Sequence, residues 1–285
     1  MIAVTGATGQ LGRLVIDALL KKVPASEIIA AVRSPEKAKD LADLGVQVRK
    51  ADYNLPATLD AAFSGVDKLL LISSSEVGQR IAQHTAVIAA AKRAGVKLLA
   101  YTSLLHADKS PLGLGEEHRA TEALLHESGL PVVLLRNGWY SENYAASIAP
   151  AVAHGVFIGA TGTGRIASAA REDYAQAAAT VLLMENQAGK TYELAGDDIY
   201  TLAEFSAEIA RQVGKPIEYQ DLSQADFKQA LIGAGLPEGF ARLLADSDAG
   251  AAKGGLFDDS HTLSKLIGRP TAPYADVIAA TLATR

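Results

Sequence analysis

Short unbroken runs of Val, Ile, Leu and Ala, separated by segments of helical spacing, constrain this chain more than any other feature. Met1–Thr5, Ile28–Val32, Val46–Arg49, Lys68–Ile72, Val96–Thr102 and Val132–Arg136 read as strands. Between them lie Gln10–Lys22, with apolar Leu11, Val15, Ala18 and Leu19 on one helical face, a charged helix opened by Pro35, and helices over Pro56–Phe63, Ile81–Ala94 and Glu116–Glu127. Gly95 and Gly129 stop the last two. A strand that is apolar on both faces must be covered on both faces, and parallel sheets flanked by helices do this. The alternation therefore predicts βαβ units and an α/β, doubly wound parallel sheet.

After about Asn137 the alternation breaks. Gly155–Gly164 is glycine-rich and predicts a turn or hairpin. Arg171–Met184 reads as a helix, Thr191–Leu194 as a strand, and Thr201 with Glu204 as a capping box opening a helix to about Val213. Ile217–Asp221 reads as a strand, Ser223 as the cap of a further helix, and Asp246–Ser260, rich in Gly, Ala and Asp, as a long loop that could serve as a lid. The expected organisation is a nucleotide-binding domain over 1–150 and a smaller, mostly helical C-terminal lobe over 151–285, interleaved with the main sheet.

Composition removes several classes of function. Among the 285 residues, 27 Lys and Arg face 32 Asp and Glu, a formal charge of −5 that lacks the footprint of a nucleic-acid binder. Cysteine is absent, which excludes disulfides, thiolate metal sites and cysteine nucleophiles. The six histidines lack zinc-ligand spacing, so no metal is expected. No Gly-x-Ser-x-Gly elbow occurs, and Gly189-Lys190-Thr191 is a chance likeness to a P-loop end. No apolar run is long enough to span a membrane. Met1 leads directly into an apolar strand without a basic segment before it, so a cytoplasmic location is expected.

Gly6-Ala7-Thr8-Gly9-Gln10-Leu11-Gly12 follows the first strand and opens the first helix. In that context Gly6 permits a tight turn, Gly9 lets backbone approach a pyrophosphate, and Gly12 lets the helix pack on the strand; the helix N-terminus supplies amides and a positive dipole end. The fold expected is thus Rossmann-like. Arg33 ends the second strand, where NAD-binding proteins carry a carboxylate for the ribose; an arginine suits the 2′-phosphate of NADP. Lys37 either assists or belongs to a charged helix face. Ser73, Ser74 and Ser75 end the fourth strand and are placed to line the ribose or pyrophosphate. Asp52 either meets the adenine or is an exposed loop acid.

The usual catalytic pair of short-chain dehydrogenases is missing. None of the nine tyrosines has a lysine four residues on, and Leu114 and His118 stand where such a pair would start the helix after the fifth strand. Ser103 lies near the expected serine but lacks partners and reads as structural. Alcohol–ketone chemistry needs a positioned general acid. Either the substrate needs little such help, or the chain binds the cofactor without turnover.

Arg136-Asn137-Gly138-Trp139-Tyr140-Ser141-Glu142-Asn143, together with the run from Ile2 to Gly12, resembles the NmrA-like family of atypical short-chain dehydrogenases. Ile72–Gln79, Ala100–Ala107 and Lys253–Ser260 extend the likeness to its quinone-reducing members. The resemblance implies one NADPH held by Gly6 to Leu11, Arg33, Ser73 to Ser75 and Asn137 to Glu142, with Arg165 as a further cationic contact. It also implies reduction of quinones to hydroquinones without flavin. A quinone is a strong hydride acceptor whose reduced anion is delocalised, so the missing pair is tolerable. Trp139, Tyr140 and Tyr144 are candidate aromatic walls or core residues, and Tyr140 or Asn143 candidate hydrogen-bond donors to a quinone oxygen. Two other functions are weighed: an NADP(H)-binding redox sensor without turnover, which the missing pair supports equally well, and, last, an epimerase of nucleotide sugars, which normally needs the missing tyrosine.

Overall fold

The apolar runs become the inner strands of one sheet. In the computed structural model, which describes residues 1–76 and 78–284, β1 (Ile2–Thr5), β2 (Ile28–Val32), β3 (Gln47–Lys50), β4 (Lys68–Leu71), β5 (Leu98–Leu104), β6 (Val132–Asn137) and, later in the chain, β8 (Thr191–Leu194) form a seven-stranded sheet. Its order is β3-β2-β1-β4-β5-β6-β8. Every residue of β1, β2 and β5 is buried, whereas β3, with polar Gln47, Arg49 and Lys50, takes an edge. A charged edge strand discourages pairing with a further chain. Strands β3 to β5 pair in parallel, Val4 for instance standing opposite Ala30 on one side and Leu70 on the other. Strand β8 runs in the same sense as β6: the Leu134 N–H donates to the Lys190 carbonyl at 2.9 Å and the Gly138 N–H to that of Leu194 at 2.7 Å.

The helices are α1 (Gln10–Leu20), α2 (Lys39–Asp43), α3 (Pro56–Phe63), α4 (Arg80–Arg93), α5 (Leu114–Glu127), α6 (Ser141–Ala145), α7 (Ile148–His154), α8 (Arg171–Leu183), α9 (Leu202–Val213), α10 (Gln224–Gly233), α11 (Glu238–Ala251), α12 (Thr262–Ile267) and α13 (Tyr274–Ala283). Thr201 and Glu204 form the expected capping box on α9, and the Ser223 side chain caps α10. No helix among the described residues is long and apolar enough to cross a membrane.

The chain divides into two compact units. One comprises Met1–Ser103, Glu117–Asn137 and Arg171–Tyr192. Its core joins Ile29, Leu59, Phe63, Leu69, Leu71, Val87 and Leu99, and α1 packs on α8. Each fully buried Leu, Ile or Phe contributes about 1.5–3 kcal/mol. The other unit comprises Leu104–Glu116, Gly138–Ala170 and Glu193–Arg285. Its core is an aromatic cluster of Trp139, Tyr144, Phe157, Tyr200 and Phe205.

Two expectations are corrected in this second unit. Gly155–Gly164 holds the expected turn, closed by the Gly164 N–H donating to the Thr161 carbonyl at 2.8 Å, but no hairpin. Val156–Gly159 forms β7, which pairs in parallel with β9 (Glu218–Asp221), a partner far away in sequence. Nor is Asp246–Ser260 one long loop: its first part is the end of α11, with Ser247, Asp248, Gly250 and Ala251 buried. A Cβ on Gly250 would lie 2.7 Å from the Leu112 side chain, so the helix is held by close packing that only glycine permits.

Candidate active site

The glycine loop leaves the C-terminal end of β1. Gly6 adopts φ +58°, a left-handed conformation that favours glycine, and its carbonyl accepts the Gly9 N–H at 2.8 Å. A Cβ on Gly12 would lie 2.4 Å from the Gly6 carbonyl oxygen and 2.7 Å from the Ala7 Cα. The third glycine is therefore what lets α1 close onto the loop. Gly9 is the N-cap of α1, with no side-chain cap and no acidic residue in the first turn. The helix thus presents its N-terminal amides and positive dipole end to whatever lies beyond β1. These are the features a pyrophosphate needs, and they fit a dinucleotide.

Arg33 follows β2 directly, and its guanidinium is exposed. Its Nη1 pairs with Glu76 Oε1 at 2.7 Å. Asp52 closes a local turn by accepting the Asn54 N–H at 3.0 Å, and its own N–H donates to Thr58 Oγ1 at 2.9 Å.

Beyond β4 the serine stretch is fixed from within the same unit. The Ser73 N–H donates to Thr102 Oγ1 at 2.8 Å and the Ser74 N–H to His84 Nε2 at 3.0 Å, while Arg80 Nε donates to the Ser74 carbonyl at 2.8 Å. Arg80 pairs with Glu117, both well buried, at 3.2 Å. Since His84 Nε2 accepts, the ring proton is on Nδ1 and donates to Thr121 Oγ1 at 2.9 Å, whose hydroxyl donates to the Glu117 carbonyl. Burial, with the nearby Arg80 charge, holds His84 neutral by pushing its pKa down to about 3. Sequence reasoning missed this support. Its trace is the polar stripe Glu76, Arg80, Gln83 and His84, spaced to share one face of α4 and the turn before it.

His118, in place of the dehydrogenase lysine, is buried with Nδ1 2.8 Å from the Tyr101 hydroxyl. Burial and Arg80 push its pKa down to about 3 as well, so it offers no proton near neutrality. Ser103 Oγ donates to Glu122 Oε1 at 2.5 Å, and Arg136 binds both oxygens of that carboxylate, at 3.0 and 2.7 Å. Its hydroxyl is committed to a structural cluster.

In the second unit, Tyr140 bridges to Ala169, and the Ser141 N–H donates to the Ala169 carbonyl at 3.0 Å. Ser141 Oγ lies 2.8 Å from Ser168 Oγ, which lies 2.6 Å from the Tyr200 hydroxyl. Tyr140, Glu142 and Asn143 are half-buried; Gly138, Trp139 and Ser141 are buried, as is Asn137 in the first unit. Of the three candidate aromatic walls, Trp139 and Tyr144 are core residues: they pack on each other, with Tyr144 also against Phe205. Tyr144 faces Asp248, whose carboxylate accepts the Ala160 N–H at 2.9 Å and is pushed up to about 6 by burial. Arg165 is exposed and stacks its guanidinium over the Phe257 ring, 4.6 Å from the centroid.

The sequence model of the NmrA-like family matches residues 1–268. Quinone oxidoreductase 2 of Escherichia coli is 62% identical over 278 residues, covering 98% of this chain and 97% of that protein. The crystal structure of an Escherichia coli NADPH-dependent quinone oxidoreductase in complex with NADPH superposes with a TM-score of 0.97 at 61% identity, covering 99% of this chain and all of that one. The triphenylmethane reductase of a Citrobacter species, complexed with NADP(H), has a TM-score of 0.95 at 41% identity, covering 99% of this chain and 100% of that chain.

Proposed function

The chain belongs to the NmrA-like family, and from that membership we propose that it is an NADPH-dependent quinone oxidoreductase that reduces quinones to hydroquinones without flavin. The observation that carries the reading is near-full-length identity of 62% to a quinone oxidoreductase. The glycine loop, with its uncapped helix N-terminus and the exposed Arg33 beside it in the sheet order, agrees with it.

When bound, NADPH supplies a hydride, and with one proton from water a quinone becomes a hydroquinone. The chain's own part is to bind and orient. Gly6, Ala7, Thr8, Gly9, Gln10, Leu11 and Gly12 receive the pyrophosphate on backbone amides. Arg33 meets the 2′-phosphate, for which its planar fork of donors is suited. Ser73, Ser74 and Ser75 line the ribose. The backbone amides of Ser73 and Ser74 already donate to Thr102 and His84, so their hydroxyls make the contact. Asn137, Gly138, Trp139, Tyr140, Ser141 and Glu142 carry the nicotinamide end, and Arg165, steadied on Phe257, adds positive charge. Tyr140 and Asn143 are the groups we assign to a quinone oxygen.

The missing general acid supports this substrate class. His118 is neutral and Ser103 is tied to Glu122, so neither serves as the acid that a simple ketone needs. A quinone accepts hydride without one, because the charge spreads over its ring. Catalysis then rests on holding two rings in contact.

The test is stoichiometric. Purified protein, supplied with NADPH and a benzoquinone and no flavin, should form one hydroquinone per NADPH consumed. Turnover that appears only after flavin is added would overturn the flavin-free reading.

A further inference from the structure

Arg33 and Glu76 sit on either side of the strand that carries the glycine loop. Strand β1 lies between β2 and β4 in the sheet. Arg33 follows the end of β2, and Glu76 lies on the segment that leaves the end of β4. All three strands are parallel, so these segments leave the same edge. The 2.7 Å ion pair between Arg33 Nη1 and Glu76 Oε1 therefore crosses the edge from which the glycine loop departs.

Glu76 is held in place for this. Its other oxygen, Oε2, accepts from Gln83 Nε2 at 2.7 Å, and Gln83 is only 4% exposed. The Glu76 N–H donates to Ser74 Oγ at 3.1 Å. A carboxylate held by a buried glutamine, on a residue whose backbone is also bonded, and aimed at one arginine is more than a casual surface pair.

We infer that Glu76 is a specificity-determining residue, the internal anion that a 2′-phosphate must displace from Arg33. The inference rests on the reading of Arg33 as the 2′-phosphate contact. A phosphate monoester carries roughly −1.5 to −2 charge at neutral pH against −1 for a carboxylate, and it offers three strong acceptor oxygens. It wins the guanidinium, but only after the existing pair is broken. A ligand without the 2′-phosphate has nothing to exchange for Glu76 and leaves the pair intact. Glu76 thus tempers NADPH affinity and leaves the adenosine end of NADH unaffected.

The probes are adenosine 2′,5′-bisphosphate and 5′-AMP, titrated calorimetrically into wild type and Glu76→Gln. The variant keeps an oxygen for Gln83 Nε2 and puts a neutral amide nitrogen, which cannot pair with a guanidinium, where Oε1 faces Arg33. The bisphosphate should bind about two- to five-fold more tightly to Glu76→Gln, the size expected for a partly exposed ion pair. Binding of 5′-AMP should not change. With Arg33→Ala as background, adding Glu76→Gln should give no further gain. Unchanged or weaker bisphosphate binding would overturn the inference, since Glu76 would then be inert or would position Arg33. Equal tightening of both ligands would overturn it too, leaving only long-range charge. If wild type failed to prefer the bisphosphate over 5′-AMP, the Arg33 assignment itself would fall, a result distinct from the other two.

Discussion

At the scale of single residues, we propose that one exposed guanidinium, that of Arg33, carries the choice of cofactor. Replacing Arg33 by Asp removes its contacts and places a second carboxylate beside Glu76. Charge-assisted hydrogen bonds contribute about 1.5–3 kcal/mol each, so NADPH binding should weaken by that order and the preference over NADH should vanish or invert. Titration with the two nucleotides checks this; an unchanged preference would give the 2′-phosphate to another cation, such as Lys37. The buried histidines make a second prediction. His84 and His118 have folded pKa values of about 3 against an ordinary 6.5. The unfolded chain therefore binds more protons, and the stability they confer is complete above about 6.5 and lost as pH falls toward about 3. Each contributes a slope of about 1.4 kcal/mol per pH unit within that window. In urea unfolding, His84→Gln should decline less steeply with acid than wild type; equal slopes would mean that His84 is protonated in the fold. The place of Arg33 directly after β2 was legible in the sequence because the apolar run of that strand ends there. Glu76 and His84 were not, because their roles depend on which side chains the sheet order brings beside them.

At the scale of elements, the glycine loop and α1 form one device. Gly12→Ala illustrates it, because two effects oppose. Alanine in a helix gains about 1 kcal/mol over glycine. Its Cβ, however, would stand 2.4 Å from the Gly6 carbonyl oxygen, a backbone atom that cannot move aside without opening the turn. Overpacking of this kind costs about 1–3 kcal/mol and should prevail. The variant should unfold at a lower temperature and raise the KM for NADPH; wild-type values for both would show that the loop has room to spare. The inner strands were legible because both-face burial leaves an unbroken apolar run. Pro56–Phe63 and Thr191–Leu194 lie where the sequence places them, and Thr201 caps α9 as its box predicts. The errors have physical causes as well. Strand β7 finds its partner β9 across several intervening elements, which no local pattern announces. The end of α11 interrupts its alanines with Asp246, Ser247, Asp248 and Gly250, weak helix formers, and close packing of Gly250 against Leu112 holds it helical.

At the scale of the whole molecule, the sheet order places β2, β1 and β4 side by side. Their carboxyl ends therefore gather Arg33, the glycine loop and Ser73–Ser75 at one edge, where ligands of such sheets bind. That much followed from the alternation of strand and helix. Which stretches of chain each of the two compact units collects is set by contacts distant in sequence, which no local pattern announces. The central claim is that this molecule turns over NADPH against a quinone without a dedicated proton donor. The most direct test is loss of reduced-nicotinamide absorbance with purified protein and a simple benzoquinone, run with NADPH, with NADH and with a blank lacking protein. Rapid loss with NADPH and slow loss with NADH is the predicted result. Tight NADPH binding with no loss above the blank would contradict it and identify the chain as a sensor of the cofactor.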